Sequence, residues 1–113
     1  MKIATYGSLK RGEYNHGRMG PQNFLGVETV RGYSIFTHPQ VPYPCAIKDT
    51  DSGIEVEVFD VSQRAFDMLD NMELGAGYRP VTIETKFGSA IMWYKDSAGA
   101  GWAKSNKPSW SGR

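Results

Sequence analysis

Disulfide and zinc chemistry have almost nothing to work with in this chain, because its 113 residues hold a single cysteine, Cys45, and two histidines, His16 and His38. One thiol cannot close an internal disulfide, and no second Cys or His stands at metal-ligand spacing from it. Pro44 before Cys45 and Ala46-Ile47 after it mark the thiol as a small packed residue of an extended segment rather than a nucleophile. Long apolar runs are missing too. None approaches membrane-spanning length, and Met1-Lys2-Ile3-Ala4-Thr5-Tyr6 lacks the apolar core of a signal peptide, so cytoplasmic residence is the default expectation. Nor does either sign of charge dominate. With 13 Lys and Arg against 12 Asp and Glu, the formal net charge is +1, too weak a field to indicate nucleic acid or an anionic membrane as a partner. Lys10, Arg11 and Arg18 cluster locally and read first as a solvated loop edge, second as an attractor for a carboxylate-bearing substrate. The length suits one domain with a real core and leaves no room for a second domain and linker.

What the chain does have is β patterning. Ile54-Glu55-Val56-Glu57-Val58 places three aliphatic side chains on one face and two carboxylates on the other, as in a half-buried antiparallel strand. Further strands are expected over 2–6, 24–29, 33–37, 81–86 and 90–94, with Asp51-Ser52-Gly53 and Phe87-Gly88-Ser89 as hairpin turns. Pro39, Pro42 and Pro44 exclude regular helix from the middle and make 41–44 a stiff extended loop or edge segment. Helical spacing occurs once, over 62–72, where Ala65, Phe66, Leu69 and Met72 form an apolar stripe. Asp60 or Ser62 can cap its start, and Gly75 or Gly77 can end it. The expectation is an α+β domain over 1–98, a small curved mixed β-sheet or β-barrel packed around one main helix. Residues 99–113 are expected to form an irregular C-terminal tail whose Trp102 and Trp110 dock on the body.

Two segments carry chemistry. The first is Tyr6-Gly7-Ser8-Leu9-Lys10-Arg11-Gly12, where a strand breaks into small residues and several main-chain N–H groups can converge on an anion or a carbonyl oxygen. The second is Leu69-Asp70-Asn71-Met72-Glu73, followed by Tyr78-Arg79. At a helix C-terminus the macrodipole disfavours a carboxylate, and an apolar cavity would add to that effect, so the Glu73 pKa is expected to rise toward the range of a general acid/base. Read without the neighbouring motif, Glu73 would be a solvated charge at a helix end.

Taken together, and with Asn15-His16 between them, these motifs resemble the gamma-glutamylcyclotransferase-like superfamily, most of all its gamma-glutamylamine cyclotransferase and AIG2-like branch. The resemblance spans residues 2–94 and rests on two separated motifs in the right order. It implies a compact β-barrel with a helix carrying the catalytic acid. It also implies a reaction in which the α-amine of a γ-glutamyl group attacks its own side-chain amide carbon, giving 5-oxoproline and a free amine. Such chemistry uses no metal or other cofactor, since nucleophile and electrophile already share one molecule. The acid of the family's motif falls on Glu73. Substrate contacts fall on the backbone of Tyr6, Gly7, Ser8 and Leu9, with Tyr43, Tyr78 and Tyr94 as pocket walls. Arg79 is expected near the site or paired with Asp67 or Asp70, and Asn15 and His16 are expected to hold the loop's turn. Met72 and the Gly75-Ala76-Gly77 insert depart from the family pattern and leave the leaving amine open, with bulky amines favoured by a shallow site. The alternative is a non-catalytic small-ligand binding module that keeps the same pocket. A third reading gives the tail tryptophans a protein partner.

Overall fold

A computed structural model describes residues 1–112, so the last position of the expected tail, Arg113, lies outside the described residues. The strands are β1 (Lys2–Thr5), β2 (Gln22–His38), β3 (Val41–Val61), β4 (Arg79–Thr85), β5 (Gly88–Tyr94) and β6 (Ala103–Lys104), with the helix α1 (Gln63–Gly75) between β3 and β4. They form one six-stranded sheet in the order β4-β5-β1-β3-β2-β6. β1 lies antiparallel to β3, from Lys2 opposite Asp60 to Thr5 opposite Glu57, and parallel to β5, which makes the sheet mixed. The sheet curls until its far parts touch. Phe87, in the β4–β5 turn, fills the space beside Gly26 of β2, where an added Cβ would lie 2.4 Å from the ring. Beside it, the Lys86 N–H donates to Glu28 Oε2 at 2.9 Å. The result is the small curled α+β fold expected from the pattern.

Alternation along the strands sorts the core into two faces. Ala4, Ile35, Ala46, Ile54, Val56, Val58 and Met92 fill the inside of the curl. Their strand neighbours Ile3, Cys45, Phe59 and Trp93 turn outward against Leu69 of α1 and the buried Met19. Ser62 caps α1, accepting a hydrogen bond from the Ala65 N–H at 3.1 Å. The helix runs to Gly75, three residues beyond the apolar stripe, and Gly77 takes a positive φ of 91° just after it.

Four sequence expectations are corrected. Segments 24–29 and 33–37 belong to one strand, β2. Asp51-Ser52-Gly53 is no hairpin turn: Arg31 pairs with Gly53 and Tyr33 with Lys48, so residues 49–52 bulge out of β3 opposite Gly32 alone. The turn chemistry there is real but local, as Asp49 accepts from the Asp51 N–H and the Ser52 hydroxyl. The carboxylates of 54–58 also differ from each other, because Glu57 is buried, 7% exposed, where Arg11 pairs with it. The proline-bearing segment 41–44 is part of β3. Phe36 pairs with Cys45 and His38 with Val41, so Pro42-Tyr43-Pro44 swell out opposite one residue, a bulge that suits prolines lacking ladder N–H groups.

The stretch after β5 is irregular apart from β6, and both tryptophans dock. Trp102 meets His38 edge-on, and Trp110 packs against the inside of the curl. Lys104 and the Ser34 hydroxyl engage Asp49 and hold its carboxyl well below the usual range. No helix among the described residues is long and apolar enough to cross a membrane.

Candidate active site

Just past the end of β1 the chain runs close against the Pro44 bulge. A Cβ at position 7 would lie 2.8 Å from Pro44 Cγ, so only glycine fits this approach. From Gly7 the chain folds into tight turns that consume its carbonyls. Gly7 O accepts from Lys10 N–H and Ser8 O from Asn15 N–H, each at 3.0 Å, and Leu9 O accepts from His16 Nδ1 at 2.9 Å. With the carbonyls turned inward, the N–H groups of Gly7, Ser8 and Leu9 have no protein acceptor among the described residues. Asn15 closes the loop further, donating to Ser8 Oγ at 3.1 Å and accepting from Arg18 Nε at 2.8 Å, the turn-holding role expected of it.

Facing this loop across a cavity of about 180 Å³ is the C-terminal turn of α1. Glu73 lies on its wall, and the helix end is fixed by Ala76 and Tyr78, whose N–H groups both donate to the Glu73 carbonyl, at 3.1 and 2.9 Å. The Glu73 carboxyl has no hydrogen-bond partner among the described residues. Burial pushes its pKa up to about 7, the nearby Asp70 carboxylate adds to the rise, and Lys95 opposes it. Desolvation is thus the leading cause of the shift anticipated from the sequence. A carboxyl poised there can take and return a proton near neutral pH.

Tyr6, Gly7, Ser8, Leu9, Tyr43, Glu73 and Tyr78 all line this cavity. Tyr94 does not. Trp93 takes the cavity-facing position of β5, and alternation sends Tyr94 to the opposite face, edge-on to Tyr33 at 5.9 Å with Lys48 over its ring. The Tyr6 hydroxyl is also unavailable to a ligand. It donates to the Trp93 carbonyl at 2.8 Å and accepts from the Ala46 N–H at 2.9 Å, and burial drives its pKa well upward. Tyr78 likewise donates to the Pro44 carbonyl at 2.6 Å and is raised by burial and then by Glu73. Both phenols therefore stay neutral and brace the wall. Arg79 points away and pairs with Asp96 at 2.6 Å, not with Asp67 or Asp70; Asp70 instead accepts from Trp93 Nε1 at 2.8 Å.

Sequence reading did not place Thr5, Tyr14, Pro44, Met72, Ala76 or Trp93 on the cavity wall. Trp93 was legible in principle, since Met92 marks the interior face and the next residue must face away. No lining residue is Lys or Arg. The basic cluster serves structure instead. Lys10 is buried against the Trp110 carbonyl, Arg11 lies 3.5 Å above the Phe24 ring and pairs with Glu57, and Arg18 holds Asn15. For Lys10 the solvated reading is corrected.

Comparison with known proteins places these features in a lineage. The family described as gamma-glutamyl cyclotransferase, AIG2-like matches residues 3–111. A Pyrococcus horikoshii protein provisionally named a gamma-glutamylcyclotransferase is 36% identical over 93 residues, covering 82% of this chain and 77% of the relative. Its crystal structure superposes with a TM-score of 0.78 over 89% of this chain and 82% of its own. A Vibrio cholerae protein with the same provisional name is 30% identical over 93 residues, 80% of this chain and 78% of the relative. The crystal structure of an AIG2-like protein of Mus musculus gives a TM-score of 0.81 at 17% identity, covering 97% of this chain and 87% of that one, a likeness of fold.

Proposed function

The chain belongs to the gamma-glutamyl cyclotransferase, AIG2-like family, and on that premise we propose that it converts a γ-glutamyl amine into 5-oxoproline and the free amine. The α-amine nitrogen forms a bond to the γ-carbonyl carbon of the same glutamyl group, and the bond from that carbon to the leaving nitrogen breaks. The attacking nitrogen, an ammonium at the start, gives up two protons, one before it attacks and one as the lactam N–H forms; the Glu73 carboxylate takes each in turn and hands it to the departing nitrogen, which leaves as an ammonium, so the reaction balances without water or an outside reagent. The Gly7-Ser8-Leu9 N–H groups hold either the α-carboxylate or the developing oxyanion. Tyr43 and Tyr78 wall the site. Little covalent work falls to the protein, because folding the substrate into attack geometry supplies most of the acceleration.

One observation carries this reading: a partly buried carboxyl, unpartnered and with its pKa raised to about 7, lies on the same cavity as a run of unpaired backbone N–H groups. Release of 5-oxoproline from a panel of γ-glutamyl amines and γ-glutamyl amino acids, by wild type and Glu73→Gln in parallel, tests it. Product from the wild type alone is the expected result. A folded wild type that is silent across the panel would reject catalysis, and saturable binding without product would replace it with ligand recognition.

A further inference from the structure

The loop that leaves β1 carries two buried charged side chains that the reaction does not use. Lys10 is 9% exposed and Glu13 8% exposed. Both are engaged by one distant segment: Lys10 Nζ donates to the Trp110 carbonyl at 2.8 Å, and the Gly112 N–H donates to Glu13 Oε1 at 3.1 Å. Charges buried this deeply are costly unless hydrogen-bonded, so the loop's packing depends on residues 110–112 lying against it.

That segment is anchored elsewhere on the fold. Ser105 N–H donates to the Ile35 carbonyl and Glu55 N–H to the Pro108 carbonyl, both at 2.7 Å, while the Trp110 ring packs on the inside of the curled sheet. We infer that residues 105–112 form a strap that fixes the substrate loop, with Lys10 as the positioning residue through which it acts. The inference rests on the proposed role of Gly7, Ser8 and Leu9 as the substrate cradle. Lys10 suits this role because its side chain holds the strap while its N–H closes the turn on Gly7 O at 3.0 Å and its carbonyl accepts from Glu13 N–H at 3.0 Å. On the other side Glu57 Oε1 accepts from the Arg11 N–H at 2.8 Å. The loop is thereby clamped between β3 and the strap, and releasing the strap frees one jaw without touching Glu73.

The test is a double-mutant cycle in the full-length protein, with Lys10→Met, Trp110→Ala and the pair. Amide exchange is followed at Lys10, Arg11, Glu13 and Asn15, with Ile3, Phe59 and Leu69, in the cluster that Trp110 does not touch, as references. Each single variant is expected to speed loop exchange about tenfold while the references hold, and to raise KM about tenfold with kcat within about twofold, as loss of a charge-assisted hydrogen bond would. Because Trp110→Ala unseats the segment whose main-chain carbonyl Lys10 holds, the double variant should be no worse than the stronger single. Unchanged loop exchange in both singles, or additive effects in the pair, would overturn the strap. If Lys10→Met fails to fold, Trp110→Ala gives the same readout with the loop's own sequence intact. A wild type without turnover would strike the catalytic reading, and the exchange cycle would still decide this one.

Discussion

The inside of the curled sheet and the wall of the cavity are built from the same strands but held by different forces. Inside the curl, Ile35, Ile54, Val56, Val58 and Met92 pack by burial alone, which is non-directional and tolerant of exact geometry. The cavity wall and the side chains that brace its loop from behind depend on directed bonds from polar groups to backbone. Tyr6 reaches Trp93 and Ala46, Tyr78 reaches Pro44, Glu57 reaches Arg11, and Lys10 reaches Trp110. A sheet that only had to fold would have little use for so many buried polar ties. If the loop presents three N–H groups to a ligand, as proposed, apolar contact alone cannot shape it, because its amides have to stay unpaired.

The comparison breaks most sharply at Glu73. Glu73→Gln keeps the side-chain shape and should cut kcat about 10²–10⁴-fold, the usual worth of a positioned acid/base, with no loss of melting temperature at pH 7. The pH dependence follows from the folded value of about 7 against an ordinary 4.5. Between those values the folded state binds more protons at Glu73 than the unfolded state, so this residue's contribution to stability falls as pH rises through the window. The wild type should therefore lose melting temperature relative to Glu73→Gln from about pH 4.5 to about pH 7. Over the upper part of that range kcat/KM should rise with an apparent pKa near 7, as the carboxylate becomes available. A kcat/KM flat with pH, or a melting gap that does not change with pH, would mean that Glu73 is an ordinary solvated acid.

Ile35→Ala tests the other region. It should cost about 2–4 kcal/mol of stability through lost burial and the cavity left behind, while the folded fraction turns over normally. Denaturant melts paired with initial rates at low temperature would show it, and a KM shift would mean that the curl's interior tunes the site directly. Tyr6→Phe lies between the two extremes. It removes a hydroxyl that satisfies both a buried N–H and a buried carbonyl, so about 1–3 kcal/mol should be lost, and the acid limb set by Glu73 should stay in place. A lost acid limb would make Tyr6 a participant in proton transfer.

How much of this was legible follows from the same contrast. Period-two alternation over 54–58 and the stripe Ala65, Phe66, Leu69, Met72 gave strand and helix, because burial writes itself into sequence as periodicity. The cavity motifs were legible by resemblance, and seven of the residues so chosen share one cavity. Misreadings came where pairing overrode local signals. Asp51-Ser52-Gly53 has genuine turn chemistry, but the long ladder of β2 with β3 absorbs it as a bulge. Tyr94 was placed one position off, although Met92 fixes the phase of β5. Lys10 looked solvated because its acceptor stands 100 residues away, a separation that no local pattern reveals.

The finest probe of the boundary is Thr5, the last residue of β1, opposite Glu57 and on the cavity wall. It is 5% exposed, and its hydroxyl oxygen has no hydrogen-bond partner among the described residues. In the apolar region such a group would be a plain cost, and Thr5→Val, nearly the same in shape, should then raise stability by about 1 kcal/mol and leave turnover unchanged. That is the expected outcome, since the oxygen is closed off from the open part of the cavity. Melting curves and KM measured on the same preparation separate the alternatives. A stabilised protein with wild-type KM puts Thr5 with the packed sheet, whereas a raised KM without added stability would mean that the hydroxyl finds its partner in the bound substrate, and the cradle would then begin two residues before Gly7.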